Sequence, residues 1–278
     1  MIPEASAKLE QFFSAFAAAA PPLLLLDYDG TLAPFRIDRF QARPFAGVRE
    51  LLADLQRQGR TRIAIITGRP AAEIAPLLPL DPPLEVWGLH GAERLFPDGR
   101  RELEQPPPAA SQALDDLRAT LRQDSLGGLV EDKANGVVMH WRGLSRQQAD
   151  RVEQRTRQLF EPLARIPGLS LLEFDPGLEL RAGRNKGGAV EAILAESPAD
   201  APVAFLGDDL SDEAAFRVVQ RLGPRGLTAL VRRQWRKTAA ELWLQPPAEL
   251  KTFLTNWLKA VTSNGAPHPA TQLQLPIS

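Results

Sequence analysis

The chain has 278 residues, and its 33 Lys and Arg residues against 34 Asp and Glu residues give a formal net charge of −1 at pH 7. This balance provides no large positive field and argues against binding to nucleic acids or to anionic membranes. The absence of cysteine excludes disulfides, cysteine-ligated zinc and thiol nucleophiles, and it fits a cytoplasmic location. The length predicts one large domain or two smaller ones.

The apolar stretch over residues 12–26 is short for a membrane span and is interrupted by Pro21 and Pro22. The segment before it carries both acidic and basic residues, whereas a signal peptide begins with a positively charged segment. We therefore predict an amphipathic helix over residues 5–19, a buried strand over residues 23–27 and no membrane anchor.

Strand and helix patterns alternate in the first part of the chain. After the first strand, apolar residues recur at helical spacing over 45–58, and a short helix is predicted over 71–78. Continuous apolar runs at 62–67 and 84–89 predict two further strands. Strands of this kind that alternate with helices are typical of a parallel sheet covered on both faces.

The pattern changes after residue 104, where a proline-rich segment is followed by helices that alternate with hairpins. The predicted elements of this part are helices over 111–123 and 145–163, with Ser145 as N-cap, and hairpins over 129–142 and 169–181. Such an order is typical of a small α+β unit and not of a continued parallel sheet.

The first pattern then resumes. The predicted elements are helices over 186–196, 212–222 and 248–260, and strands over 203–206 and 227–231. We therefore predict an α/β fold with a Rossmann-like parallel sheet. Its core comprises residues 1–104 and 183–262, an α+β cap domain is inserted at 105–182, and residues 263–278 form a flexible tail.

Acidic residues follow two of the predicted parallel strands. Asp27 and Asp29 end the first strand and, being two positions apart, lie on the same side of the extended chain. Asp208, Asp209 and Asp212 follow a later strand. Ligands of open α/β sheets bind at the carboxyl ends of the strands, and so many carboxylates at one edge would repel one another without a divalent cation. The sequence therefore predicts a Mg²⁺ site at this edge.

Three further polar residues occur at the same predicted edge. Thr67 and Arg69 follow the second strand, and Lys186 begins the helix after the inserted segment. A hydroxyl donor, a cation and a metal are the groups that bind phosphoryl oxygens. The combination indicates phosphoryl-transfer chemistry.

These residues resemble the four motifs of the haloacid dehalogenase superfamily of phosphohydrolases. Residues 27–32 (DYDGTL) resemble the first motif, and Thr67, Lys186 and residues 207–212 (GDDLSD) resemble the second, third and fourth in the expected order. The resemblance implies a cap inserted between the second and third motifs.

A narrower resemblance extends from about residue 23 to residue 212. The segments that carry it are 26–32 (LDYDGTL), 67–69 (TGR), 90–91 (HG), 130–133 (VEDK), 140–142 (HWR) and 177–181 (GLELR) followed by Lys186. They are similar to those of trehalose-6-phosphate phosphatases, which implies an enzyme that hydrolyses trehalose 6-phosphate to trehalose and phosphate (EC 3.1.3.12) in trehalose biosynthesis.

The resemblance also implies the catalytic roles. Asp27 would form an aspartyl-phosphate, Asp29 would act as general acid and then base, and Thr67 and Lys186 would hold the phosphoryl oxygens. The residues implied around the Mg²⁺ ion are Asp27, Asp29 (through its backbone carbonyl), Asp208, Asp209 and Asp212.

Charged residues of the inserted domain are expected to bind the hydroxyls of the sugar by charge-assisted hydrogen bonds. Two are expected to share a face of one strand, Glu131 and Lys133, and two a face of its partner, His140 and Arg142. The complete set of candidate substrate-binding residues is Arg69, His90, Glu131, Lys133, His140, Arg142 and Glu179. Alternatively, the hairpin charges are merely solvated and His90 is structural.

Two other functions stay open. The substrate could be another sugar phosphate, such as sucrose phosphate or mannosyl-phosphoglycerate, or the chain could be a non-catalytic module that binds a sugar phosphate. We expect a monomeric cytoplasmic protein that acts on a small molecule and binds neither nucleic acid nor membranes.

Overall fold

The computed structural model describes residues 3–17, 20–36, 38–123, 126–133, 135–174 and 176–263. The chain divides into two compact units, of which unit 1 comprises Met1–Glu102 and Lys186–Ser278 and unit 2 comprises Leu103–Asn185. The inserted domain was predicted at 105–182, so the observed unit begins two residues earlier and ends three residues later. The predicted flexible tail lies outside the described residues apart from Ser263.

An eight-stranded sheet forms the centre of unit 1. Its strands are β1 (Leu23–Leu26), β2 (Arg62–Ile66), β3 (Glu85–Gly88), β4 (Glu93–Leu95), β5 (Arg101–Leu103), β10 (Val203–Gly207), β11 (Gly226–Val231) and β12 (Leu242–Leu244). Their order is β12-β11-β10-β1-β2-β3-β4-β5. The strands from β12 to β3 are parallel, and β4 is antiparallel to β3. The predicted α/β fold with a parallel sheet is confirmed.

Strand β1 lies in the middle of the sheet and is buried along its whole length. Its side chains alternate between two hydrophobic cores: Leu24 and Leu26 belong to one, and Leu23 and Leu25 to the other. Because successive side chains of a strand point to opposite faces, a sheet covered on both faces needs apolar residues at every position. The run of four leucines meets this need.

The helices of unit 1 cover both faces of the sheet. They are α1 (Pro3–Ser14), α2 (Val48–Gln58), α3 (Ile74–Leu77), α6 (Lys186–Ala195), α7 (Glu213–Gln220) and α8 (Ala248–Thr262). Leu52 of α2 and Trp257 of α8 belong to the core with Leu24, whereas Val190 of α6 and Phe216 of α7 belong to the core with Leu25. No helix in the described ranges is long and apolar enough to cross a membrane.

Three observed strands have no predicted counterpart, β4, β5 and β12. Each has only three residues, which is too short for a hydrophobic period to show. Helix α2 also differs from its prediction over 45–58. It begins at Val48 because Gly47 precedes it in the left-handed region, with φ of 87°.

Unit 2 is a four-stranded antiparallel sheet with helices on one face. Its elements are α4 (Pro108–Gln123), β6 (Val130–Lys133), β7 (Gly136–His140), α5 (Arg146–Leu163), β8 (Leu169–Phe174) and β9 (Gly177–Ala182), and the sheet order is β6-β7-β9-β8. Met139 and Leu180 pack in a core with Leu117 of α4 and Phe160 of α5. The helices thus pack against one face of this sheet.

The hairpin β6–β7 differs from its prediction in one respect. Strand β7 ends at His140, and Arg142 lies in the turn that follows. The expectation that His140 and Arg142 share a strand face is therefore wrong, because Gly143 in the left-handed region turns the chain there. One residue of each predicted hairpin, Ala134 in the first and Asp175 in the second, lies outside the described residues.

Candidate active site

The carboxyl ends of β1, β2 and β10 and the start of α6 surround a cavity of about 320 Å³ within unit 1. Eight residues singled out by the sequence line it: Asp27, Asp29, Thr67, Arg69, His90, Lys186, Asp208 and Asp209. They meet because parallel strands expose their carboxyl ends at the same edge of a sheet.

Asp27 is the first residue after β1 and is buried. Its backbone N–H donates to the carbonyl of Leu206 at 2.9 Å, which ties it to the end of β10. One carboxylate oxygen accepts from Lys186 Nζ at 2.7 Å, and the other accepts from Thr31 Oγ1 at 3.0 Å. Burial raises the pKa of Asp27, and the positive charge of Lys186 opposes that shift only in part.

Three carboxylates form a buried cluster, which we call the acid cluster. It contains Asp27, Asp208 and Asp212, each with an oxygen within 4.8 Å of the others. Asp212 accepts from Lys186 Nζ at 2.7 Å and from the backbone N–H groups of Asp208 and Asp209 at 2.9 Å each. In contrast, no donor in the described part of the chain is within hydrogen-bonding distance of the Asp208 carboxylate.

Burial raises the pKa of Asp208, and the neighbouring negative charges of Asp27 and Asp212 raise it further. For Lys186, the effect of the neighbouring charges is larger than the effect of burial. Burial disfavours its ammonium group, but Asp212 and Asp27 outweigh that effect and raise the pKa of Lys186. One buried cation therefore faces three buried carboxyl groups, and the ionised form of Asp208 is disfavoured unless a further cation is present.

The acid cluster fits a divalent cation, and its ligand atoms are all oxygen. Hard ions such as Mg²⁺ prefer carboxylate and carbonyl oxygens. Such an ion would also reduce the electrostatic repulsion among the three carboxylates. Two of the five predicted metal ligands, Asp29 and Asp209, contribute no carboxylate to the cluster. The prediction for Asp29 was that its backbone carbonyl, and not its carboxylate, binds the ion.

The carboxylate of Asp29 is bound by Arg69. Two nitrogens of the guanidinium group donate to its two oxygens at 2.6 and 2.7 Å. Arg69 also lies 3.4 Å from Glu73, which forms a second ion pair with Arg39. Asp29, Arg69, Glu73 and Arg39 therefore form a series of alternating charges. The sequence did not predict a role for Glu73 or Arg39.

Thr67 and His90 lie in two loops that are joined by their backbones. The N–H of His90 donates to the carbonyl of Thr67 at 2.7 Å, and the hydroxyl of Thr67 accepts from the N–H of Arg69 at 3.2 Å. A Cβ atom on Gly68 would lie 2.8 Å from the imidazole of His90. The glycine therefore leaves the space in which the His90 ring packs.

Four candidate residues of unit 2 form two close contacts across its sheet. Lys133 Nζ lies 3.0 Å from Glu179, which is buried, and His140 Nε2 lies 2.7 Å from Glu131. The register places Glu131 beside Val138 and Val138 beside Glu179, so both glutamates lie on the same face of the sheet. Arg142 lies in the turn beyond them.

Sequence reasoning missed several residues that line the cavity, namely Phe35, Arg36, Arg39 and Ser211. Phe35 is 69% exposed although it is a large apolar side chain. These residues lie in loops or in 3-10 helices of three residues, where hydrophobic periodicity provides no signal. Only their closeness in sequence to the first and fourth motifs could have suggested them.

Comparisons with known proteins show the family to which this chain belongs. Residues 25–245 match the family model of trehalose-phosphatases. The chain is 31% identical over 241 residues to the trehalose-phosphate phosphatase of Mycobacterium ulcerans (strain Agy99), which covers 84% of this chain and 60% of that protein. It is also 31% identical over 243 residues to the trehalose-phosphate phosphatase of Mycobacterium tuberculosis (strain H37Rv), covering 84% of this chain and 61% of the relative. The chain thus spans only about 60% of the length of the curated relatives it matches.

Solved structures show the same fold. The trehalose-6-phosphate phosphatase of Aspergillus fumigatus aligns with a TM-score of 0.73 at 24% identity, covering 91% of this chain and 97% of the other. A haloacid dehalogenase-like hydrolase from B. subtilis aligns with a TM-score of 0.60 at 14% identity, covering 84% and 98%. Because the family model matches residues 25–245, which is most of the sequence, the chain belongs to the trehalose-phosphatase family.

Proposed function

We propose that this protein hydrolyses trehalose 6-phosphate to trehalose and phosphate. The observation that carries the proposal is the position of the Asp27 carboxylate, a member of the acid cluster that is buried between Lys186 and Thr31. The chain also belongs to the trehalose-phosphatase family. A carboxylate with a positive charge at its side is suited to attack a phosphorus atom, because that charge also attracts the phosphoryl oxygens.

In the proposed reaction, a carboxylate oxygen of Asp27 forms a bond to phosphorus while the bond from phosphorus to the sugar oxygen breaks. Asp29 donates a proton to the departing sugar oxygen and later accepts one from the water that hydrolyses the aspartyl-phosphate. Lys186 and Thr67 bind the phosphoryl oxygens. For this step the Asp29 carboxylate must leave Arg69, to which it is bound here.

We propose that Mg²⁺ binds to Asp27, to Asp208 and to the backbone carbonyl of Asp29, with Asp209 and Asp212 nearby. When bound, the ion would neutralise charge on the phosphoryl oxygens. Asp212 would act mainly by holding Lys186 and the backbone of the neighbouring acidic residues, since its oxygens already accept those three hydrogen bonds.

Substrate specificity is proposed to come from both units. In unit 1, Arg69 and His90 line the cavity. In unit 2, the paired charges on the sheet would bind sugar hydroxyls, because ionised groups form strong hydrogen bonds with neutral hydroxyls. The residues assigned to that role are Glu131, Lys133, His140 and Glu179, with Arg142 in the following turn. We propose that a monomer suffices, because all of these residues belong to one chain.

A substrate panel tests the proposal. Purified protein is incubated with trehalose 6-phosphate, sucrose 6-phosphate, mannosyl-3-phosphoglycerate and glucose 6-phosphate, with Mg²⁺ or with EDTA, and released phosphate is measured. We expect turnover of trehalose 6-phosphate above all others and none in EDTA. Binding without phosphate release would show that the chain is a non-catalytic module. Preference for another sugar phosphate would show that the proposed substrate is wrong.

The nucleophile is tested with Asp27→Asn, which keeps the size of the side chain but removes the reacting charge. We expect kcat to fall by at least about 10³-fold. A phosphorylated residue trapped at Asp27 during turnover would support the covalent step. Unchanged hydrolysis by the variant would exclude it.

A further inference from the structure

The segment between β10 and α7, residues 208–212, carries the acidic residues Asp208, Asp209 and Asp212, and we call it the acidic loop. Asp212 binds this loop from one side, because its carboxylate accepts the backbone N–H groups of Asp208 and Asp209 at 2.9 Å each. The carbonyl groups of the same two residues point elsewhere and bind to a second partner.

That partner is Arg236, in the loop between β11 and β12. Its Nε donates to the carbonyl of Asp208 at 3.2 Å, and its Nη2 donates to the carbonyl of Asp209 at 2.7 Å. Arg232 adds a longer contact, from Nη1 to the carbonyl of Asp208 at 3.4 Å. The N–H and C=O groups of both acidic residues are thus held by side chains from different parts of the chain.

Arg236 is itself held in place. Its Nη1 donates to Glu213, the first residue of α7, at 2.5 Å, and to the carbonyl of Lys237 at 2.9 Å. Glu213 in turn accepts from Thr238 Oγ1 at 2.7 Å and from the N–H of Ala239 at 2.8 Å. Only 16% of the Arg236 side chain is exposed. A closed set of hydrogen bonds therefore joins the acidic loop to the loop that carries Arg236.

Such support has a physical reason. The acid cluster confines three buried carboxylates within 4.8 Å, and their repulsion tends to displace the acidic loop. The planar guanidinium group presents several donors in a rigid arrangement, so one arginine can bind three acceptors on two elements, whereas a lysine cannot reproduce that arrangement. Partners that orient metal ligands contribute strongly to metal affinity.

We infer that Arg236 is a positioning residue that holds the acidic loop in the geometry that binds the metal ion. The inference rests on the metal site of the proposed function. It does not make Arg236 a substrate contact, because its donors are directed at backbone carbonyls and at Glu213.

Metal binding is measured without turnover. The full chain is stripped with EDTA and dialysed, and free Mn²⁺ is followed by electron paramagnetic resonance during titration. The variants are Arg236→Gln, which removes the charge, and Arg236→Lys, which keeps the charge but loses the planar set of donors. Arg233→Gln is the matched control, because Arg233 is exposed on the same loop and makes no hydrogen bond with any other described residue.

We expect both Arg236 variants to bind Mn²⁺ about 10- to 100-fold more weakly than the native chain, and Arg233→Gln to bind it equally well. Native affinity in Arg236→Lys would overturn the inference, because charge alone would then suffice. Native affinity in Arg236→Gln would overturn it as well. Failure of the native chain to bind Mn²⁺ would instead refute the proposed metal site.

Kinetics separate positioning from substrate binding. We expect the Mg²⁺ concentration for half-maximal activity to rise by the same factor, while KM for trehalose 6-phosphate at saturating Mg²⁺ stays within about twofold of native. A rise in KM without a change in metal dependence would assign Arg236 to the substrate. Thermal unfolding establishes that each variant is folded at the assay temperature, and Arg236→Lys decides the question if Arg236→Gln does not fold.

Discussion

Gly30 occupies a place in the site where a side chain would meet the carboxylate of Asp208. Its φ is +84°, a backbone conformation that side chains disfavour, and a Cβ atom there would lie 2.1 Å from an oxygen of Asp208. The glycine of the first motif therefore does more than turn the chain after Asp29. It leaves the space in which the carboxylate of Asp208 reaches the acid cluster.

A pair of glycine variants separates backbone strain from this contact. Gly99 has nearly the same φ, +85°, but nothing within 4 Å of the position of its Cβ. We expect Gly30→Ala and Gly99→Ala each to lose about 1–2 kcal/mol of unfolding free energy from strain alone. Only Gly30→Ala should also lose metal binding, which the Mn²⁺ titration measures. Equal metal affinity in the two variants would mean that Asp208 can move aside without consequence.

At the scale of elements, the part of the sheet around β3 and β4 is held by charges as well as by apolar contacts. Glu85 is buried at the start of β3 and binds Arg62 of β2 at 3.0 Å and Arg94 of β4 at 2.8 Å. Arg94 continues to Glu196, just after α6, at 2.7 Å. The network joins three strands to the end of the helix that begins at Lys186.

The pH dependence of this network has a defined sign. Hydrogen bonds from Arg94 lower the pKa of Glu196 below its ordinary value of 4.5, although burial of the carboxylate opposes this shift. Its stabilising contribution is therefore fully present above pH 4.5 and is lost as the pH falls through the lower pKa of the folded state.

We expect Glu196→Gln to lose about 1 kcal/mol of unfolding free energy at pH 7, and the deficit to shrink toward zero as the pH falls below 4.5. Denaturant unfolding at a series of pH values measures it. Glu191→Gln is the control, because that residue lies on α6 in an exposed pair with Arg221. A deficit of Glu196→Gln that persists unchanged at low pH would show that the charge of Glu196 does not contribute.

At the scale of the whole molecule, the chain separates the proposed chemistry, in unit 1, from the part of the proposed sugar recognition that belongs to unit 2. Unit 1 contains the acid cluster and the cavity, whereas unit 2 has its own hydrophobic core and a sheet face that carries paired charges. A division of this kind allows substrate specificity to change with little effect on the reacting groups.

The division predicts how a variant of unit 2 behaves. Lys133→Ala removes the cation paired with Glu179, and we expect it to lower kcat/KM for trehalose 6-phosphate by about 10- to 100-fold. Turnover of 4-nitrophenyl phosphate, which has no sugar to bind, should stay near native. Arg122→Ala, on the exposed surface of α4, serves as control. Equal losses on both substrates would contradict a role of Lys133 in sugar recognition.

Much of the fold could be predicted from the sequence because its signals are local. The four leucines of β1 and the apolar run of β2 show burial on both faces through their composition alone. The three-residue strand β4 could not be found this way, since Glu93 and Arg94 are buried through ion pairs with residues of other elements. Its place depends on partners that no local pattern reveals.

The same limit applies to the site. The order of residues along the chain shows which acidic residues follow which strands. It therefore predicts that Asp27 and Asp208 lie at one edge of the sheet, because parallel strands place their carboxyl ends together. No sequence pattern predicts that Lys186 binds Asp27 and Asp212, that Arg69 binds Asp29, or that Arg236 binds the carbonyl groups of the acidic loop. These pairings join segments far apart in the chain, and their geometry depends on how loops without periodicity pack.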